Sequence, residues 1–294
     1  MNRREFNKLM LLSGAVLPTL NGCESILKSG VHSSGTSIKT DFSHLSLDQV
    51  NQLSLRGHET LMAENGFKMV GQEKIAMLLF PGFNPLDLIG PHYLFSGMMG
   101  AQIYLVSTQS DLEPVASGGG LKIVPTHTLL NCPDDLDVLF VPGAATGVIN
   151  AMKNLDVLEF LRQKAKTARY VTSVCTGSLL LGKAGLLEGK KATSHWLTLD
   201  FLSKFGAIPV KQRVVWDGNV VTGGGVTAGI DFGLEIVAVF RSSAYAEALQ
   251  LDAEYNPSPP FNSGSPDTAR PLVRDAFIEL YSPFLKQVAL AIDA

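Results

Sequence analysis

Four short apolar runs constrain this chain more than any other feature: KIAMLLF (74–80), AQIYLVST (101–108), LDVLFVPG (136–143) and RYVTSV (169–174). They lack the polar alternation of a strand with one wet face, so each is predicted to be a strand covered on both faces. Helical patterns lie between them, over LDLIGPHYLFSGM (86–98), NLDVLEFLRQKAKTA (154–168) and residues 176–184. Strand–helix alternation of this kind predicts a mostly parallel sheet with helices on both faces. The expected fold is a flavodoxin-like or Rossmann-like three-layer α/β sandwich. SGGGLKIVPTHTL (117–129) is read as a turn and a short edge strand, and RVVWDGNVVTGGG (213–225) as a hairpin about Asp217-Gly218. Residues 227–255 read as one long buried helix, and a Pro-rich loop (256–267) leads to a last helix from about Thr268.

The first residues follow different rules. Arg3 and Arg4 precede a short apolar run, and Leu20-Asn21-Gly22-Cys23 closes it. A basic start, an apolar middle and a small residue before a cleavage point have the layout of an export signal. The paired arginines resemble a twin-arginine signal, and Leu-x-Gly-Cys resembles a lipobox whose cysteine is acylated. The expectation is export to the periplasmic side with a lipid anchor at Cys23, the alternative being an amphipathic helix with an incidental cysteine. The expected divisions are a signal over 1–22, a tether with a helix (46–65) packed on the main domain over 23–70, and a catalytic domain over 71–294. The 294 residues carry a formal net charge of −3 without a Lys/Arg-rich run, so no nucleic-acid partner is expected. Three cysteines, Cys23, Cys132 and Cys175, are too few and too scattered for a zinc cluster or a disulfide scaffold, and no metal site is expected.

In parallel sheets the chemistry gathers beyond the carboxyl ends of the strands. Cys175 stands there, between the strand 169–174 and the helix 176–184, with small residues two before and two after it, Ser173 and Gly177. A strand–nucleophile–helix corner needs such neighbours, because larger side chains collide across the turn. The helix N-terminus is expected to lower the thiol pKa and leave a thiolate at neutral pH. Asp87 follows the first strand among Leu86, Leu88 and Ile89, where desolvation raises a carboxyl pKa toward the range useful for proton transfer. Capping of a helix is its simpler role. In VPGAATG (141–147), Gly143 and Ala144 offer backbone N–H groups that could stabilise charge on an intermediate. His195 borders the same region and is either a pocket residue or structural. Cys132 is read as structural.

These residues resemble a known family. The acidic loop DLIGPH, the VPG strand end and the cysteine corner are similar to the ThiJ/PfpI branch of the class I glutamine amidotransferase-like superfamily. Within that branch VCTGSLLLGKAGLLEGKKATSHW, GGGVTAGIDF and YNPSPPFNSGSPDTA resemble the isonitrile hydratases. The resemblance implies hydration of a small-molecule isonitrile to an N-substituted formamide without a cofactor, in a homodimer. It places the nucleophile on Cys175, the acid/base on Asp87 and a neighbouring functional threonine on Thr176. PfpI-type peptidases have His directly after the cysteine where this chain has Thr176, which speaks against peptidase chemistry. Two other functions stay open: glyoxalase-like detoxification of reactive carbonyls, and a non-enzymatic redox sensor or binding protein.

Overall fold

The computed structural model describes residues 40–293, so the expected export signal over 1–22, Cys23 and much of the expected tether lie outside the described residues. The chain divides into two units, 1–50 and 51–294. The described part of the first unit is a turn and the start of helix α1 (Leu47–Met62). Helix α1 carries no buried residue. Among the described residues no helix is long and apolar enough to cross a membrane.

The second unit is built on a seven-stranded sheet. Its main strands are β1 (Lys74–Leu79), β2 (Gln102–Ser107), β5 (His127–Thr128), β6 (Val138–Val141), β7 (Tyr170–Val174), β10 (Val214–Asp217) and β11 (Val220–Gly223). Their spatial order is β10-β11-β7-β6-β1-β2-β5, with every pair parallel except β10–β11. That exception is the hairpin read about Asp217-Gly218. Two further strand pairs stand apart from the sheet, β3 (Val115–Ala116) with β4 (Lys122–Ile123) and β8 (Lys191–Ala192) with β9 (Ile208–Pro209). Strands β1, β6 and β7 are buried almost throughout, which is why their sequences lack alternation. Strand β2, expected to be covered likewise, is exposed at Gln102 and half-buried from Ile103 to Leu105, because it lies next to the short edge strand β5.

Helices α2 (Pro85–Ser96), α3 (Thr146–Lys153), α4 (Leu155–Ala165), α5 (Gly177–Lys183), α6 (Ala228–Phe240), α7 (Ser243–Asp252) and α8 (Pro271–Asp293) complete the fold. Helix α2 packs on α6 and α6 on α7, while α3 meets α4, α5 and α8. This is a flavodoxin-like α/β sandwich. Phe95, Phe140 and Phe232, all fully buried, bind sheet to helices through ring contacts of 5.6–6.5 Å. Two expectations need correction. The span 227–255 is two helices, broken where Arg241 leaves helical geometry and Ser242 takes φ 149°. Arg241 turns inward there to meet Glu73 at 2.5 Å, so a tertiary ion pair overrides local helix propensity. Helix α3, ahead of the helix expected over 154–168, was not anticipated; Asn154 ends it and caps α4, accepting from the Asp156 and Val157 N–H groups.

The chain runs from β1 outward to β2 on one side and through β6 and β7 on the other, so the order reverses at β1. A crevice opens beyond the strand ends at such a reversal. The loop after β1, the end of β6 and the end of β7 all reach it.

Candidate active site

Cys175 follows directly on β7 with φ 59°, the left-handed region that a non-glycine residue enters at a cost of about 1–2 kcal/mol. Its N–H donates to the carbonyls of Gly223 (3.0 Å) and Gly224 (2.8 Å), which ties the corner to the end of β11. Gly177 begins α5 against β6: a Cβ there would stand 2.3 Å from the Val141 carbonyl oxygen and 2.8 Å from that of Pro142. The corner therefore tolerates no side chain at 177.

Asp87 comes from the first turn of α2, whose N-cap is Asn84; Asp87 is not the cap. Its side chain is wholly buried, Oδ2 accepts the Gly143 N–H at 3.1 Å, and Oδ1 has no hydrogen-bond partner. Gly143 is what lets Asp87 approach Cys175. A Cβ on residue 143 would lie 2.6 Å from Asp87 Oδ2, 2.8 Å from Cys175 Cβ and 2.8 Å from the Thr176 nitrogen. Thr176 and Ala144 are joined twice, the hydroxyl donating to the Ala144 carbonyl at 2.6 Å and accepting its N–H at 2.8 Å. The N–H groups of Gly143 and Ala144, anticipated as donors to an intermediate, are thus engaged by Asp87 and Thr176.

Burial pushes the Asp87 carboxyl up to about 7, against the opposing pull of the Cys175 thiol and the Gly143 N–H. The thiolate expected at Cys175 needs correction. Burial, and next the Asp87 charge, hold this thiol well above its usual range. The Thr176 N–H and hydroxyl pull in the expected direction, but they do not outweigh the desolvation of a residue that is 5% exposed. The resting pair is a thiol beside a carboxyl that exchanges its proton near neutrality.

A cavity of about 220 Å³ adjoins Cys175 and Thr176. His195 lines it, its Nδ1 accepting the Leu197 N–H at 3.3 Å, with burial lowering the ring's pKa. The ring is therefore neutral near pH 7 with its proton on Nε2. Residues that sequence reasoning missed close the cavity: Asn84 and Leu197, and Phe277, Tyr281 and Phe284 of α8. The 277/281/284 spacing puts three rings on one helix face, a signal present in the sequence but without an address. Cys132 is buried elsewhere, its pKa raised to about 11 by burial, in keeping with a structural role.

The chain is similar to several known proteins. The DJ-1/PfpI family pattern matches residues 73–239. Isonitrile hydratase from Pseudomonas putida is 51% identical over 213 residues, which are 72% of this chain and 92% of that protein. The crystal structure of a THiJ/PfpI family protein from Pseudomonas syringae superposes with a TM-score of 0.75 at 51% identity, covering 78% of this chain and 93% of that one. Drosophila melanogaster DJ-1beta, 20% identical with a TM-score of 0.57 over 63% of this chain and 98% of its own, shares the fold.

Proposed function

The chain belongs to the DJ-1/PfpI family, and from that premise and its 51% identity to an isonitrile hydratase we propose that it hydrates isonitriles to N-substituted formamides without a cofactor, Cys175 acting as nucleophile and Asp87 as acid/base. The observation that carries this reading is the pair itself: a thiol at a left-handed strand-end corner beside a buried carboxyl with one oxygen unpartnered.

The chemistry follows from the two proton affinities. Ionised Asp87 takes the thiol proton as sulfur attacks the terminal carbon of R–N≡C, and returns that proton to the same carbon. The product is a thioimidate, R–N=CH–S–Cys175. Water adds across the C=N bond, hydroxyl to carbon and proton to nitrogen. The C–S bond then breaks, the hydroxyl proton returns to sulfur, and R–NH–CHO leaves with the thiol restored. A carboxyl that changes state near pH 7 suits both directions of transfer. Thr176 holds the loop after β6 through Ala144, which keeps Gly143, and with it Asp87, in register.

The deciding experiment supplies purified protein with an alkyl isonitrile and follows the formamide. Cys175→Ala should abolish turnover, and Asp87→Asn should lower it roughly 10²–10⁴-fold. Wild-type rates from Cys175→Ala would exclude covalent catalysis. Lactate from methylglyoxal in place of formamide would move the assignment to glyoxalase-like chemistry. The same proposal includes a homodimer, which the resemblance to the isonitrile hydratases implies, and export with acylation at Cys23, which rests on the Arg3-Arg4 and Leu-x-Gly-Cys patterns. Fractionation of cells producing the full chain and its Cys23→Ser variant tests the anchor: only the former should stay with membranes.

A further inference from the structure

Helix α8 lays an aromatic face over the nucleophile. Trp196 stacks on Phe277 with ring centres 6.1 Å apart, Phe277 on Tyr281 at 4.6 Å, and Tyr281 meets Phe284 edge-on at 6.3 Å. Three of these four rings line the Cys175 cavity. The helix is held from its far end: Val288 and Ala291 are buried and Lys183 Nζ donates to the Ile292 carbonyl at 3.1 Å. Pro283 interrupts the backbone ladder between the two parts, and the Ser282 hydroxyl donates to the Glu279 carbonyl that Pro283 leaves unpaired (2.7 Å).

We propose that Phe277, Tyr281 and Phe284 form a specificity wall that admits compact apolar groups to Cys175 and turns away bulky or charged ones. Three observations meet in this. The cavity of about 220 Å³ has room for roughly seven water-sized atoms, so a short or branched substituent fills it. No Lys, Arg, Asp or Glu lines it, so a charged substituent entering would lose its water and gain no partner. Apart from Asp87 beside Cys175, the charged side chains nearby, Asp200, Lys211 and Arg213, line a neighbouring cavity of about 610 Å³ that shares His195 and Val226 with it. As a statement about substrate choice the proposal rests on the isonitrile reading above. As a statement about access to the sulfur it does not.

The test therefore reads access directly. Alkylation of Cys175 by iodoacetamide, by iodoacetate and by N-adamantyl iodoacetamide is followed by peptide mass spectrometry, alongside kcat and KM for alkyl isonitriles of graded bulk. The wild type should react with iodoacetamide at least about tenfold faster than with the adamantyl reagent, and Phe277→Ala or Phe284→Ala should shrink that ratio by a similar factor. Tyr281→Trp, which fills space, should widen the ratio, and Leu280→Ala, on an exposed residue outside the cavity, should leave it unchanged. Circular dichroism identifies any alanine variant that fails to fold, and Tyr281→Trp then carries the test in the opposite direction. A wild type without preference, or folded variants keeping the wild-type ratio, overturns the wall. A shifted ratio with no isonitrile turnover keeps the wall and overturns the isonitrile reading; turnover with an unmoved ratio does the reverse.

Discussion

Asp87 and Cys175 shift each other's proton affinity in opposite directions: the carboxylate makes the thiol harder to ionise, while the hydrogen bond from the thiol makes the carboxyl easier to ionise. The carboxyl is raised to about 7 by burial, and the thiol is held well up by burial and by the carboxylate beside it. Two acids in one dry site lose their protons in steps that belong to the pair. One consequence concerns rate. If the carboxylate must take the thiol proton, kcat/KM should rise with pH through an apparent pKa near 7. Asp87→Asn should lose that rise together with most of the activity. A wild-type profile flat between about pH 5 and 9 would remove Asp87 from the proton path.

A second consequence concerns stability. The folded-state pKa of Asp87 lies above its unfolded value, so stability from this group is complete below about pH 4 and is lost progressively as pH rises through about 7. Asp87→Asn should therefore stabilise the fold, by a few kcal/mol in order of magnitude at pH 8 and by distinctly less at pH 5. Urea denaturation of both proteins at the two pH values measures it. An equal effect at both would mean that the carboxyl is not ionised against its surroundings.

Gly143→Ala should damage both fold and activity. The new Cβ has neighbours at 2.6 and 2.8 Å on three sides, and the contacts are Asp87 Oδ2, Cys175 Cβ and backbone at Thr176. Overpacking of this kind costs about 1–3 kcal/mol and here pushes Asp87 away from Cys175. Gly119→Ala, with nothing within 4 Å of its Cβ, is the matched control and should be silent in thermal melts and in turnover.

The corner at Cys175 can be weighed by comparing two inactive variants. At φ 59° alanine carries the left-handed penalty and glycine does not. Cys175→Gly should thus be more stable than Cys175→Ala by about 1 kcal/mol, although it removes more apolar surface. The reverse order in chemical denaturation would mean that the corner relaxes when the sulfur is removed.

Arg241 and Glu73 make a buried ion pair, their side chains 0% and 3% exposed, and Arg241 Nη2 also donates to the Met99 carbonyl at 3.0 Å. Removing Glu73 should cost about 3–5 kcal/mol, because the Arg241 charge is left buried without its partner, and removing Arg241 should cost less, because Lys68 also meets Glu73 at 3.4 Å. Arg241→Met and Glu73→Leu together should cost less than the sum of the two alone, as a double-mutant cycle by urea denaturation would show. Strict additivity would mean that the two charges are not coupled.

The strand–corner–helix around Cys175 was readable because its signals are local. An apolar run covered on both faces, then small residues flanking a cysteine, specify β7 and α5 almost to the residue. The Asp217-Gly218 hairpin was readable for the same reason. The break at Arg241 was not, since it has neither proline nor glycine, and its cause, Glu73, lies 168 residues away. The wall of α8 was invisible too: the ring spacing is written in the chain, but the surface those rings cover is not.

Local chemistry, then, was enough to identify a parallel sheet, a cysteine at the carboxyl end of one of its inner strands and a carboxyl near the same end, because strand burial, turn sterics and helix starts act over a few neighbouring residues. The charge state of that thiol was out of reach. Proton affinity depends on how much water the fold removes and on which distant groups it brings close, and here burial outweighed the helix N-terminus that the order of residues pointed to.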